Sequence, residues 1–230
     1  MKTYAFIFAR GGSKQIPKKN ITLINNKPLI YYSINLAKKI KKIQKVFVST
    51  DNSEIAKISK KYGAEIIKRP ANLARDNTPE WLAWQHAIKY LNSKNDFFDL
   101  FLSLPPTSPL RSSSDILNCL NAYNEKFDAV VTIREASRNP WFNMVKLNKN
   151  KQLKILIQNK NSNYFRRQDT PLIYDLSTVA TLTSPKYILK NKHKFVGKIK
   201  GVMVPNERSI DIDNQFDLKI AKLLMKKNER

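Results

Sequence analysis

Two short stretches hold residue types that could do chemistry. "ERSIDIDNQFD", residues 207–217, sets Asp211 and Asp213 on either side of Ile212. In an extended segment, residues i and i+2 point the same way, so both carboxylates can face one cation. Two carboxylates completed by phosphate oxygens and water make an ordinary Mg2+ site. The same spacing also fits a chain entering a helix, with Asp213 as its cap and Asp211 on the surface. Near the other end, "FIFARGGSKQIPKKN", residues 6–20, runs from apolar residues into Gly11–Gly12 and the cations Arg10, Lys14, Lys18 and Lys19. Glycine lets backbone N–H groups approach an anion, and the cations balance its charge. The turn is neither GxxxxGK[ST] nor GxGxxG. Alone it reads either as an anion site or as a turn with solvated lysines.

These stretches need a scaffold, and the sequence supplies a regular one. Tyr4–Phe8, Lys45–Ser49, Ala64–Lys68, Asp99–Leu104 and Asp128–Ile133 read as strands. Between them lie helical patterns over Pro28–Ile40, from Ser53 as N-cap to Gly63 past the end, from Pro79 at its first turn onward, and over about Ser114–Lys126. Residues 69–78 read as a loop. This alternation predicts one α/β domain over residues 1–230, with a mostly parallel sheet covered by helices on both faces. From about 134 to 174 the pattern lapses into polar, Asn- and Lys-rich chain with isolated aromatics Trp141, Phe142, Tyr164 and Phe165, which reads as an inserted β-rich arm. "STVATLT" and "IKGVMVP" come after it as strands, and "NQFDLKIAKLLMKK" closes the chain as an amphipathic helix.

Composition narrows the classes. Lys and Arg outnumber Asp and Glu by 42 to 18, a net charge of +24. That excess would suit nucleic acid, an anionic surface or an acidic substrate. It is spread evenly along the chain, however, and no RNA-recognition, zinc-finger or basic-zipper signature accompanies it, so a solvated basic surface is expected. One cysteine, Cys119, excludes a disulfide framework, and no Cys/His cluster suggests structural zinc. The early apolar run is too short for a signal peptide and nothing approaches a membrane span. A soluble cytoplasmic protein without a membrane partner is the expectation.

"FARGGSKQIPKKNI", "STDNSEIAKISKKYGAEIIKRPANLARDNTP", "PPTSPLRSSSDI", "RRQD" and "SIDID" occur in this order along nearly the whole chain. Together they resemble the motifs of the acylneuraminate (CMP-sialic acid) cytidylyltransferases. The resemblance implies a Rossmann-like nucleotide-sugar transferase fold and a homodimer joined by a dimerisation arm, here at about 134–174. It also implies transfer of CMP from CTP to an acidic 2-keto-3-deoxy sugar, with Mg2+ and release of pyrophosphate. It assigns triphosphate contacts to Arg10, Ser13, Lys14 and Lys19, and nucleoside contacts to Asn20, Arg69, Asp76 and Thr78. Thr107, Ser108 and Arg111 fall on the sugar side, Arg166, Arg167 and Gln168 on the arm beside the acidic sugar, and Asp211 and Asp213 on the metal. Arg10, Lys14, Lys19 and Asp211 are the expected catalytic set.

Two positions depart from the family pattern. Pro105 stands where glutamine usually precedes "PTSPLR", and Ser177-Thr178-Val179 replaces "NGA". Both fall on the sugar side, so an eight-carbon octulosonate stays open beside sialic acid and related nonulosonates. Asp211-Ile212-Asp213 also fits the DxD of nucleotide-sugar glycosyltransferases, although the basic glycine turn argues against that reading. Trp81, Trp84, Ile88 and Leu91 form a core stripe, with His86 turned away from it as a solvated helix residue. His193 reads as surface and Cys119 as a small core residue. Asp51, at a strand's carboxyl end, reads as a ligand contact or a helix cap.

Overall fold

The computed structural model describes residues 1–158 and 164–227. The chain opens with β1 (Thr3–Phe8), a 3-10 turn at Lys19–Ile21, a small hairpin of β2 (Leu23–Ile24) and β3 (Lys27–Pro28), and α1 (Leu29–Lys39). β4 (Ile43–Thr50), α2 (Ser53–Lys61), β5 (Glu65–Lys68), α3 (Glu80–Asn92), β6 (Leu100–Ser103), α4 (Ser113–Ala122) and β7 (Ala129–Glu135) then alternate. A two-stranded excursion, β8 (Val145–Leu147) with β9 (Leu153–Ile155), precedes β10 (Tyr174–Thr183), α5 (Pro185–Lys190), β11 (Ile199–Met203) and α6 (Gln215–Lys227). Among the described residues no helix is long and apolar enough to cross a membrane.

The main sheet runs β11-β7-β10-β6-β1-β4-β5. Every pairing in it is parallel except the two made by β10, so that strand alone is reversed. β1 shows why a continuous apolar run is needed. Its side chains alternate between two buried faces. Ala5 and Ile7 join the core under α1 and α4, while Tyr4, Phe6 and Phe8 meet Trp81, Trp84 and Ile88 of α3. A third, smaller cluster holds Ile16, Ile24, Leu29, Ile212, Leu218 and Ala221. It ties the basic turn to the segment carrying the two aspartates.

Local expectations shift by a residue or more at several ends. Asn52, not Ser53, caps α2 by accepting from Ile55 N at 3.0 Å. Asn and Ser are equally good caps, and the helix is entered one residue earlier than the sequence pattern suggests. Pro28 and Pro79 precede their helices as N-caps rather than lying inside the first turn. α4 stops at Ala122 instead of Lys126, where Asn124 Oδ1 takes the Lys126 N–H in a local turn. The expected arm leaves the sheet between β7 and β10, and its residues 159–163 lie outside the described residues.

Candidate active site

The basic turn owes its shape to three fixed contacts. Asp51 accepts from Gly11 N at 2.9 Å, and a Cβ on Gly11 would lie 3.0 Å from Asn52 Cβ, so any larger residue there would have to push the Asn52 side chain aside. Asp51 therefore shapes the turn, and the helix cap next to it is Asn52. Asn20, buried, donates to Arg10 O at 3.0 Å. Lys18 takes a left-handed backbone with φ 53°, a strained choice for a non-glycine residue and one often found beside functional sites.

The turn and Asp213 share a cavity of about 430 Å3 lined by Arg10, Ser13, Lys14, Gln15, Lys19, Asp76 and Asp213. It opens beyond the carboxyl ends of the parallel strands, where α/β sheets gather their ligands. Lys19 bridges its two halves. Its Nζ donates to Ile212 O at 2.8 Å and lies 3.2 Å from Asp213 Oδ1. Across the cavity Asp76 pairs with Arg10 and, at 2.6 Å, with Lys14. Hydrogen bonds from Lys14 first and Arg10 second hold the Asp76 carboxyl below its ordinary range. One carboxylate thus sits where the cations would meet an anion.

Asp213 is not the helix cap. Asn214 is: its Oδ1 accepts from Phe216 N at 2.8 Å and Asp217 N at 3.1 Å, and Asp217 Oδ2 accepts back from Asn214 N and Asp213 N, each at 3.0 Å. This reciprocal cap satisfies the start of α6 without the Asp213 carboxylate. Ile212 is fully buried between the two aspartates, and its N–H donates to Thr107 O at 2.9 Å. The Thr107 and Thr178 hydroxyls lie near the Asp211 carboxyl, whose Oδ1 is buried without a hydrogen-bond partner. Burial pushes its carboxyl upward, Thr107 works against that, and Asp213 adds to it. A buried, unpartnered carboxylate oxygen next to a second carboxylate suits a hard cation.

The other expected contacts fall into separate groups. Arg69 is buried, donating to Ser49 O at 2.7 Å and Ser49 Oγ at 3.2 Å, with its guanidinium over the Phe8 ring. Thr78 Oγ1 donates to Asn72 O at 2.9 Å, closing the loop that carries Asp76. Ser108 is buried against Thr178, hydroxyl to hydroxyl at 2.6 Å. Arg111 is buried too, donating to Ser33 Oγ at 2.8 Å, to Pro105 O and to Thr178 O. Burial lowers its pKa to about 9, with Asp211 and Asp115 acting the other way. Its guanidinium thus braces the floor of the site from beneath.

Arg166, Arg167 and Gln168 stand at the root of the arm. Arg166 pairs with Asp169 at 2.9 Å, Arg167 donates to Ala136 O at 2.6 Å, and Arg167 and Gln168 line a separate recess with Glu135 and Asn139. His86 departs from the solvated histidine expected. Its Nδ1 is buried without a partner, and burial first, then Arg69, lowers its pKa. Sequence reading missed the role of Thr178. β10 carries a four-residue bulge there, since Ile133 faces Leu176 but Val131 faces Thr181. Thr132 stitches it, accepting from Ala180 N at 3.0 Å and pairing with Ser177 Oγ at 2.7 Å. The only signal was the departure at Ser177–Val179.

Comparison with known proteins identifies the family. The family model described as "Cytidylyltransferase" matches residues 4–224. The CMP-N,N'-diacetyllegionaminic acid synthase of Campylobacter jejuni is 37% identical, over 95% of this chain and 93% of its own. The post-translational flagellin modification protein B of Campylobacter coli is 36% identical, over 96% and 93%. Among solved structures, a CMP:2-keto-3-deoxy-manno-octonic acid synthetase complexed with CTP superposes with TM-score 0.71 at 15% identity, covering 99% of this chain and all of its own. At that identity the last comparison speaks for the fold. With a basic glycine turn facing the exposed Asp213 beside a half-buried Asp211, and a family match over nearly its full length, the chain belongs to the cytidylyltransferases and is a nucleotidyltransferase.

Proposed function

We propose that this enzyme transfers CMP from CTP to the anomeric hydroxyl of an acidic nine-carbon 2-keto-3-deoxy sugar and releases pyrophosphate. The observation that carries the reading is the cavity in which Arg10, Lys14 and Lys19 meet Asp213. The sugar's anomeric oxygen forms a bond to the α-phosphorus as the bond to the pyrophosphate oxygen breaks. Negative charge grows on the leaving pyrophosphate, which is where the three cations converge. Ser13 adds a hydroxyl to the same wall. Asp211 and Asp213 would hold Mg2+, and the unpartnered Asp211 Oδ1 fits that role. When bound, the ion would neutralise phosphate charge as a Lewis acid.

Arg69 and Asn20 act on the nucleoside side by shaping the walls, with Asp76 and Thr78 on the loop above them. Thr107, Ser108 and Arg111 form the acceptor floor. The choice of a nonulosonate over an octulosonate rests on relatives such as the legionaminic acid synthase and a pseudaminic acid cytidylyltransferase from Campylobacter jejuni, 30% identical over 99% of this chain. We further propose that two copies pair through the arm, bringing Arg166, Arg167 and Gln168 toward the partner's acidic substrate. Phe165 is 84% exposed, and Val145, Leu147, Leu153 and Leu172 are exposed with it. So much bare apolar surface in one excursion suits an interface.

The test is a pyrophosphate-release assay crossing CTP, UTP, ATP and GTP with a legionaminic-type acid, pseudaminic acid, N-acetylneuraminate and an eight-carbon octulosonate. Release with CTP and a nine-carbon acid is expected. Release with the octulosonate alone removes the nonulosonate choice. No release with any acid, and transfer from a preformed nucleotide sugar instead, restores the glycosyltransferase alternative.

A further inference from the structure

Between the end of β11 and the start of α6 the chain that carries Asp211 and Asp213 pairs with no strand. Its last sheet contact is Val204 N to Ile133 O at 2.8 Å. Beyond that contact it makes a 3-10 turn over Asn206–Arg208. Such a segment has no ladder to fix it, yet two carboxylates must be held to fractions of an ångström if they are to share an ion with a triphosphate.

Arg208 supplies an anchor of the required stiffness. Its Nε lies 2.9 Å from Asp115 Oδ2 and its Nη2 lies 2.9 Å from Asp115 Oδ1, a two-point fork. Asp115 is 1% exposed and is itself hydrogen-bonded. As the third residue of α4 it closes a capping box with Ser112, accepting from Ser112 N and Oγ at 2.8 Å each. Burial works upward on its carboxyl, but Arg208 and Ser112 outweigh it and keep it ionised. The loop entering α4 carries Thr107, whose carbonyl takes Ile212 N and whose hydroxyl reaches Asp211. One ion pair therefore ties the wall bearing Thr107 to the segment bearing the aspartates. The Ile212 N–H to Thr107 O bond is a second tie across that gap, and Lys19 holds Ile212 O from the side of the anion site.

We propose that Arg208, through Asp115, is a positioning residue that sets Asp211 and Asp213 in register for the metal-bound nucleotide. It touches no substrate. The inference rests on the cytidylyltransferase reading of the cavity. Only the Asp115 end of the pair is buried, with the Arg208 side chain 37% exposed, so the pair contributes little net stability and its loss should show in coordination more than in folding.

The test is calorimetric titration of CTP into wild type, Arg208→Lys, Arg208→Met and the double variant Arg208→Met/Asp115→Asn, each in Mg2+ and in EDTA, with melting curves alongside. Wild type should bind CTP more tightly in Mg2+. Arg208→Met should lose about tenfold of that Mg2+-dependent gain while changing EDTA affinity less than about twofold. Arg208→Lys keeps the charge without the fork and should recover part of the gain. The double variant removes the orphaned carboxylate, so it should regain thermal stability but not the gain. An unchanged gain in Arg208→Met overturns the proposal. So does an equal loss in Mg2+ and EDTA that tracks the melting temperature, which would make the pair merely structural. Wild type that binds CTP in neither condition would instead refute the proposed function, and this inference with it.

Discussion

Asp213→Asn and Asn214→Ala are adjacent substitutions with opposite expected effects. Asp213 is 66% exposed, and its pairing with Lys19 at 3.2 Å is worth about 0–1 kcal/mol in solvent. The start of α6 is capped by Asn214 and Asp217, so Asp213→Asn should leave the melting temperature nearly unchanged. Its effect should appear in the metal dependence. A divalent ion and a carboxylate oxygen about 2.1 Å apart attract by about 4 kcal/mol even at a water-like dielectric. Asn keeps an oxygen ligand but not the charge, so about half of that is lost, and half-maximal activity should need about thirtyfold more Mg2+. Asn214→Ala removes the cap instead, costing about 1 kcal/mol and lowering the melting temperature by about 2–4 °C, with the Mg2+ profile unmoved. Pyrophosphate release over a Mg2+ series, with melting curves on the same samples, reads both. An Asp213→Asn titration that overlays wild type, together with a melting temperature that falls like that of Asn214→Ala, would refute the reasoning.

Replacing Arg10 or Lys14 with Ala should cut kcat/KM for CTP by roughly ten- to a hundredfold, the worth of one charged hydrogen bond to phosphate, with the fold intact by circular dichroism; wild-type kinetics in both would move the phosphate site elsewhere. At the opposite end of the sheet, burial works upward on the Asp96 carboxyl, but Lys45, Tyr4 and Lys2 overcome it and bring it to about 2. A depressed carboxyl contributes stability above its unfolded value and loses it as pH falls from about 4 toward 2; allowing for partial exposure this is about 1–2 kcal/mol. Urea unfolding at pH 5.5 and pH 3 should show about half of that loss in wild type and a flatter dependence in Asp96→Asn. Replacing Leu147 and Leu153 together with Asp should convert a dimer to monomer in sedimentation at micromolar concentration; an unchanged mass would place the interface away from the arm.

The sequence revealed what local composition encodes. A glycine pair among cations, an Asp-Ile-Asp beside an amphipathic helix and strands alternating with helices all declare themselves within a dozen residues. The features that stayed hidden depend on partners far along the chain. Arg69 and Arg111 read as ligand contacts by type, and nothing local showed that each guanidinium also holds the protein's own atoms, on Ser49 and on Pro105 and Thr178. The direction of β10 was illegible because a two-residue period reads the same in either sense. Whether Asp213 caps α6 turned on Asn214, a residue equally able to cap, and only the hydrogen bonds decide between neighbours. Nothing local foretold that Arg208 would meet Asp115, or that Thr132 would hold a bulge open under Thr178.

The reversal of β10 bears on how such a protein can change over generations. A parallel neighbour to β7 would require a crossover around the sheet, whereas an antiparallel one needs only a turn. Tyr174 lies directly opposite Glu135, so the whole excursion between them is an enlarged hairpin tip, leaving and rejoining at the end of the sheet where the cavity opens. Its length is therefore a free variable. Residues can be gained or lost there without rethreading a strand, and a two-residue turn joining Glu135 to Tyr174 would leave the register of the seven-stranded sheet as it is. The length of the excursion and the register of the sheet can thus change independently, under selection or in an engineer's hands.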